Sequence, residues 1–393
     1  YIHSACATWE FANEMKPGDI VFAKNGMHLI IGRGVVKSDY IYDSERKEFK
    51  NIRKVDWTDR GEWECSRQSP MKTLTDITSY TDYVDQLNLF FEGEALDDIE
   101  TVETVYPQYN KAKFLESVYI DEKSYNTLVS LVETKKNVIL QGAPGVGKTF
   151  AAKRLAYSMM GVKNQNRVMM VQFHQSYSYE DFIMGFRPSE NGFELKHGVF
   201  YDFCKMAEID SDNAYFFIID EINRGNLSKI FGELFMLLES DKRGVELQLL
   251  YADEKFSIPE NVYIIGMMNT ADRSLAMLDY ALRRRFAFYE LEPAFESDGF
   301  KEYQHKLNNA KFDKLIECIK NLNLIIKKDE TLGTGFCLGH SYFCDLDQVE
   351  DNELDLALTR LVEFELIPLL KEYWFDDTDM VIEWSNNLRS AIQ

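Results

Sequence analysis

Residues 138–149, Val-Ile-Leu-Gln-Gly-Ala-Pro-Gly-Val-Gly-Lys-Thr, decide how the rest of this 393-residue chain is read. Val138–Gln141 has the length and apolar character of a short buried strand, and Gly142–Thr149 fits G-x-x-x-x-G-K-T at every position. The run that follows, 150–160, has apolar residues at helical spacing (Leu155, Met159) and basic residues at Lys153 and Arg154. Strand, glycine loop and helix is the setting of a phosphate-binding loop. Glycines let backbone N–H groups turn inward around a polyphosphate, and the helix N-terminus adds its positive dipole end. A chance glycine turn would not need all the fixed positions at once. Gly142, Ala143, Pro144, Gly145, Val146, Gly147, Lys148, Thr149 and Phe150 are therefore the candidate nucleotide-contacting residues. Lys148 would reach the terminal phosphates, and Thr149 would hold a magnesium ion.

A second stretch agrees with the first. Tyr215-Phe-Phe-Ile-Ile-Asp-Glu221 is an apolar strand that ends in two carboxylates. A nucleotide hydrolase needs such a pair after its loop: Asp220 for the metal, and Glu221 to orient or deprotonate the attacking water. Alone, the pair could equally be an acidic helix start, where the dipole favours Asp and Glu. Paired with the upstream loop, the catalytic reading wins. Asn223 is placed beside Glu221 to position water.

Around these motifs the pattern alternates between strand and helix. Strands are expected at 138–141, 168–173, 215–219, 262–267 and 286–291, with helices at 150–160 and 227–239 between them. A hairpin is expected over 246–258. From Glu296 the pattern is helical, most clearly over 311–324 and 352–373.

Three segments resemble one family. Asp220-Glu-Ile-Asn-Arg-Gly-Asn226 is followed by Met268-Asn-Thr-Ala-Asp-Arg-Ser274, then by Leu278-Asp-Tyr-Ala-Leu-Arg-Arg-Arg-Phe286. Together with Gln172–Tyr177 and Gly339-His-Ser-Tyr-Phe343, they resemble the McrB family of AAA+ proteins from about Tyr119 to Phe343. The resemblance implies an α/β AAA+ P-loop NTPase with a helical C-terminal lid. Asn269 would be the polar sensor of the terminal phosphate, with Asp272 and Arg273 completing the signature. Arg284, with Asp279 nearby, would act as an arginine finger toward the next subunit, although Arg283 and Arg285 are also open. The resemblance further implies GTP and Mg2+, a homo-oligomeric ring (a hexamer), modified double-stranded DNA, and a McrC nuclease partner that does the cutting. No Asn-Lys-x-Asp guanine motif occurs, so GTP rests on resemblance. His174 and His340 read as hydrogen-bonded structural histidines.

Composition bounds the remainder. A formal charge of −21 argues against a nucleic-acid platform over the whole surface. Residues 1–70 balance 11 Lys and Arg against 11 Asp and Glu, so a DNA contact is better placed there. No stretch approaches the roughly 18 apolar residues of a membrane span. The six cysteines form no C-x-x-C pair, which fits reduced thiols in a cytoplasmic protein. The chain opens at Tyr1, and an upstream segment is expected.

Residues 1–70 read as a small β-rich unit. Asn25-Gly26 is a hairpin signal between 20–23 and 27–31, Gly32 and Gly34 mark a break, and strands resume at 35–36, 40–42 and 52–57. This weakly resembles the EVE and YTH-like barrels of the EVE/PUA type, which implies a reader of a flipped modified base in an aromatic pocket. Trp9, Trp57 and Trp63 are the pocket candidates, against the plainer reading of each as core. The expected division is a 1–70 reader, a 71–112 acidic linker with one helix through Tyr83, Leu87 and Phe90 or Phe91, a 113–295 AAA+ domain and a 296–393 lid. The rival from another class is an ATP-driven remodelling chaperone that acts on protein partners. A nucleotide switch with little turnover is disfavoured by Glu221 and the arginines.

Overall fold

A computed structural model describes residues 2–25, 29–44, 46, 49–64, 74, 77–78, 84, 87–88, 91, 106–189, 192–271, 280–350 and 352–393. The chain forms two compact units, one of residues 1–105 with 201–213, the other of 106–200 with 214–393.

In the first unit, a helix over Ile2–Asn13, which the strand-oriented reading did not anticipate, precedes β1 (Ile20–Asn25) and β2 (Leu29–Val36). A short ladder pairs β3 (Ile41–Tyr42) with β4 (Asn51–Ile52). β5 (Val55–Glu64) then completes an antiparallel sheet of order β1-β2-β5. The β1–β2 pairing puts Asn25 opposite Leu29, as the hairpin signal implied, while the turn itself lies outside the described residues. The expected break at Gly32 and Gly34 is corrected: β2 runs through both. Glycine serves packing there, because a Cβ at Gly34 would stand 2.8 Å from the Asp56 carbonyl oxygen. Part of the expected linker also changes meaning. Leu87 is buried with Ile30 on this sheet, and Phe91 packs against the pair with Phe22 and Trp63. Tyr83 and Phe90 lie outside the described residues.

The second unit is built on a five-stranded parallel sheet. Its strands are β6 (Asn137–Gly142), β7 (Val168–Gln172), β10 (Tyr215–Asp220), β13 (Val262–Asn269) and β14 (Ala287–Leu291), in the order β14-β6-β13-β10-β7. Each expected strand is present within about two residues of its bounds. β6 and β10 are nearly continuous apolar runs because both faces of the sheet are covered. On one face Val138, Leu140, Phe216, Ile218, Ile265 and Met267 join the helix Lys148–Met160 in a core that continues into the lid through Phe312, Leu315 and Ile316. On the other, Phe182 stacks on Phe200 at 4.7 Å between ring centroids, with Phe217 and Phe231 edge-on.

Several elements differ from the sequence pattern. The hairpin of β8 (Met184–Ser189) and β9 (Gly192–His197) was not foreseen, since its residues alternate poorly and are largely exposed. The expected 246–258 hairpin reduces to a two-residue ladder of β11 (Leu247–Gln248) and β12 (Lys255–Phe256). The helix expected over 227–239 is α-helical only at Leu227–Phe231. It tightens to 3-10 over Gly232–Leu238, where Gly232 takes a left-handed φ of 52°. In the lid, the single 352–373 helix becomes Leu354–Leu361, a π segment at Val362–Leu366 and Ile367–Tyr373. Pro368 has no N–H to continue the α ladder, which accounts for the widened turn before it. No described helix is long and apolar enough to cross a membrane.

Candidate active site

Parallel strands present their carboxyl ends at one edge, and the register brings three motif residues together there. β13 pairs with β6 so that Asn269 faces Gly142, and β10 pairs with β7 so that Asp220 faces Gln172. The Thr270 N–H donates to the Gly142 carbonyl at 3.1 Å, which ties the sensor strand to the glycine loop. A crevice at this edge is where ligands bind in open α/β sheets.

The loop Gly142–Gly147 leads into the helix Lys148–Met160 through Gly147, which adopts φ 77° and has no side-chain cap. Any other residue type would be strained there. Gly147 has no side chain to cap the first helical N–H groups, at the position where an anion would sit. The Lys148 ammonium donates to the carbonyls of Gly142 and Ala143 at 3.0 and 2.9 Å, so it arches back across the loop. Thr149 and Phe150 are exposed on the first turn, and the Arg154 guanidinium stacks 3.1 Å from the Phe150 ring centroid.

Glu221 follows Asp220 in a left-handed backbone conformation, φ 50° and ψ 45°. For a non-glycine residue this costs about 1–3 kcal/mol, and such strain collects at functional sites. Its carboxylate is engaged on both oxygens: Asn269 Nδ2 donates to Oε1 at 3.0 Å, and Arg224 Nε lies 3.1 Å from Oε2. The expected base and the expected sensor are therefore in direct contact. Asn223 is buried, and its Oδ1 has no hydrogen-bond partner among the described residues. A buried acceptor of this kind, two residues from a carboxylate, suits a water. The donor set fits magnesium held mostly by water and phosphate oxygens. Among the described residues, no group of three His, Cys, Asp or Glu is placed to hold a metal alone, and the hard oxygens at hand are those of Thr149 and Asp220.

The three arginines separate. Arg285 is tied within its own chain: its Nη2 lies 3.0 Å from Glu239 Oε1, its guanidinium stacks 4.4 Å from the Phe235 ring centroid, and its carbonyl accepts from Asn137 Nδ2. Arg283 and Arg284 are exposed. Asp272, Arg273 and Asp279 lie outside the described residues.

One neighbour of the loop entered the sequence reading only through a resemblance and a structural histidine, His340. The lid segment 339–342 lies directly on it: the Gly339 N–H donates to the Pro144 carbonyl at 3.1 Å and the Ser341 N–H to the Gly145 carbonyl at 2.8 Å. Arg224 was also missed as a partner of Glu221, because three residues of spacing in an irregular turn predict no contact.

The tryptophans take different environments. Trp9 is exposed on the first helix, and Trp57 is half-buried with its ring across Gly32. Trp63 packs edge-on against Phe91 at 4.6 Å. Among the described residues, no ring contact joins the three.

Comparison with known proteins agrees with the strand-end geometry. Residues 137–286 match the AAA domain (dynein-related subfamily), and 314–381 match the McrB alpha-helical lid domain. Residues 2–81 match a domain of unknown function (DUF8426). The chain is 50% identical over 282 residues to the type IV methyl-directed restriction enzyme EcoKMcrB subunit of Escherichia coli (strain K12), covering 70% of this chain and 61% of that protein. It is 28% identical over 197 residues to the type II restriction enzyme BsuMI component YdiS of Bacillus subtilis (strain 168), covering 40% of this chain and 57% of that protein. The chain thus spans about three fifths of the length of the curated relatives it matches.

Proposed function

From a chain that belongs to the McrB family of AAA proteins, we propose a GTP-hydrolysing motor subunit of a modification-dependent DNA restriction system. The observation that carries the catalytic part is the contact between Glu221 and Asn269 at the strand edge that also holds the Gly142–Thr149 loop. Hydrolysis needs a base and a phosphate sensor that share one position of water, and this pair supplies both. The loop N–H groups and Lys148 bind the phosphates, while Thr149 and Asp220 supply oxygens to Mg2+, which would neutralise charge on the transferred phosphoryl group. Glu221 and Asn223 hold the attacking water, and Glu221 takes its proton.

Arg284, exposed where Arg285 is not, reaches into the site of the next subunit, so the active form is a ring, of six subunits. Asp272, Arg273 and Asp279 are assigned to bracing that site. Residues 1–70 read modified double-stranded DNA through Trp57 with Trp9 or Trp63 in an EVE-like manner, 113–295 hydrolyse, and 296–393 close over the nucleotide. The nuclease is a separate McrC-type partner.

The test is hydrolysis of GTP against ATP, alone and with methylated or plain duplex DNA and a McrC partner. GTP should be preferred, and DNA cleavage should require both the partner and the modification. ATP preference without any response to DNA would favour a remodelling chaperone instead. Lys148→Ala should bind neither nucleotide, and near-parental affinity would mean that the site lies elsewhere.

A further inference from the structure

The lid segment on the glycine loop carries a histidine whose chemistry the catalytic reading leaves unused. The approach is close: a Cβ on Gly339 would stand 1.9 Å from the Gly145 carbonyl carbon, so only glycine lets the two backbones meet. The Tyr342 ring covers the other side of Gly145, 2.5 Å from where a Cβ would be. Between these contacts lies His340, 9% exposed, its ring 5.6 Å from that of Tyr119.

The hydrogen bonds fix its tautomer. The Ala294 N–H donates to Nδ1 at 3.1 Å, so Nδ1 is an acceptor and carries no proton. Burial lowers the imidazole pKa to about 4, which keeps the ring neutral at pH 7. The single ring proton therefore sits on Nε2. This nitrogen comes 3.7 Å from the position a Cβ would take at Gly147, the uncapped residue before Lys148. Among the described residues, nothing accepts its proton. The donor is thus available to an acceptor that enters the loop.

We propose that His340 is a nucleotide-binding residue supplied by the lid, its Nε2–H donating an uncharged hydrogen bond to a phosphate oxygen held in the Gly142–Thr149 loop. The proposal rests on the reading of that loop as a nucleotide site. It does not depend on which base the nucleotide carries. It also gives the lid a contact with an occupied loop that needs no charged group.

The experiment measures GDP and ADP binding to the full chain with His340→Phe, which keeps the ring shape and removes the donor, and with His340→Gln, whose amide can replace it. His340→Phe should weaken whichever nucleotide the parent binds by about tenfold or more, since the acceptor is charged, and His340→Gln should recover most of the loss. In the parental protein, the Nε2 resonance of 15N-labelled histidine should shift on titration with GDP and stay in place with guanosine. Parental affinity in His340→Phe, or an Nε2 resonance that ignores GDP, overturns the proposal. The spectroscopic arm decides the matter if the substituted chains fail to fold. A parent that prefers ADP refutes the GTP reading and leaves His340 testable with ADP. A parent that binds neither nucleotide refutes both.

Discussion

The edge of the parallel sheet and the strand β5 make opposite use of sequence distance. At the sheet edge, Gly142 and Asn269 end two strands, Glu221 directly follows a third, and they meet because parallel register aligns the strand ends. On β5, Trp57 and Trp63 are six residues apart on one strand yet take different partners. One lies over Gly32 and the other against Phe91. Their partners on β2 are Gly34 and Ile30, and register shifts between Ile30 and Gly32 and between Arg33 and Gly34 spread the six β5 steps over only four of β2. Proximity in sequence thus says little in the N-terminal sheet, and separation says little in the AAA unit. What decides in each case is whether every residue in the ladder has a partner.

The sharpest way to break this contrast lies at the adjacent arginines. Arg284→Ala should bind nucleotide nearly normally and hydrolyse it about 10³–10⁵ times more slowly, as expected of a finger. Mixed with excess Lys148→Ala subunits, it should recover activity if mixed rings form. Arg285→Ala should instead lower thermal stability, because it removes the Glu239 pair and the Phe235 stack. If the two variants exchange these behaviours, the division of labour read from exposure is wrong.

Next in size is Glu221→Gln, which should retain nucleotide and lose about 10²–10⁴ in turnover, the usual range for a general base. The amide oxygen can still accept from Asn269, while the Arg224 pairing with the second oxygen is lost. Single-turnover hydrolysis measured beside equilibrium binding separates the two effects, and parental turnover would transfer the role to Asn223.

A smaller effect follows from His340. Its folded pKa of about 4 lies below the ordinary value of 6.5, so the unfolded chain binds the extra proton first on acidification. Stability from this group is complete above about pH 6.5 and is lost as pH falls toward 4, on the order of 3 kcal/mol in all. Denaturant unfolding between pH 4 and 7 should show a shallower dependence in His340→Phe than in the parent. Identical slopes would place the buried titration elsewhere.

The smallest effect concerns the proposed reader. Trp57→Ala should weaken binding to modified duplex by about tenfold, the value of one stacked base, and leave GTP hydrolysis without DNA unchanged. Trp63→Ala should mainly destabilise the sheet, since Trp63 packs with Ile30 and Leu87. Equal loss of DNA binding in both at full stability would put the two rings in one pocket after all.

The sequence by itself determined the nucleotide-binding architecture. An eight-position loop, a strand that ends in Asp220-Glu221 and a second that ends in Asn269 leave little choice, because each needs a strand end and strand ends align in a parallel sheet. The first long lid helix was visible for a similar reason: apolar spacing is local, and the Ala310–Lys328 helix buries Phe312, Leu315, Ile316 and Ile319 on one face. Where local order gave way, the pattern misled. Pro368 and Gly232 changed the helix type within runs whose apolar spacing stayed regular. Only the tertiary structure decided that Arg285 faces inward while Arg284 does not, that Arg224 holds the second oxygen of Glu221, and that His340 stands over Gly147. Those contacts join residues through irregular turns or across almost 200 positions of chain. They are set by which backbones can approach closely, and no periodicity in a sequence encodes that.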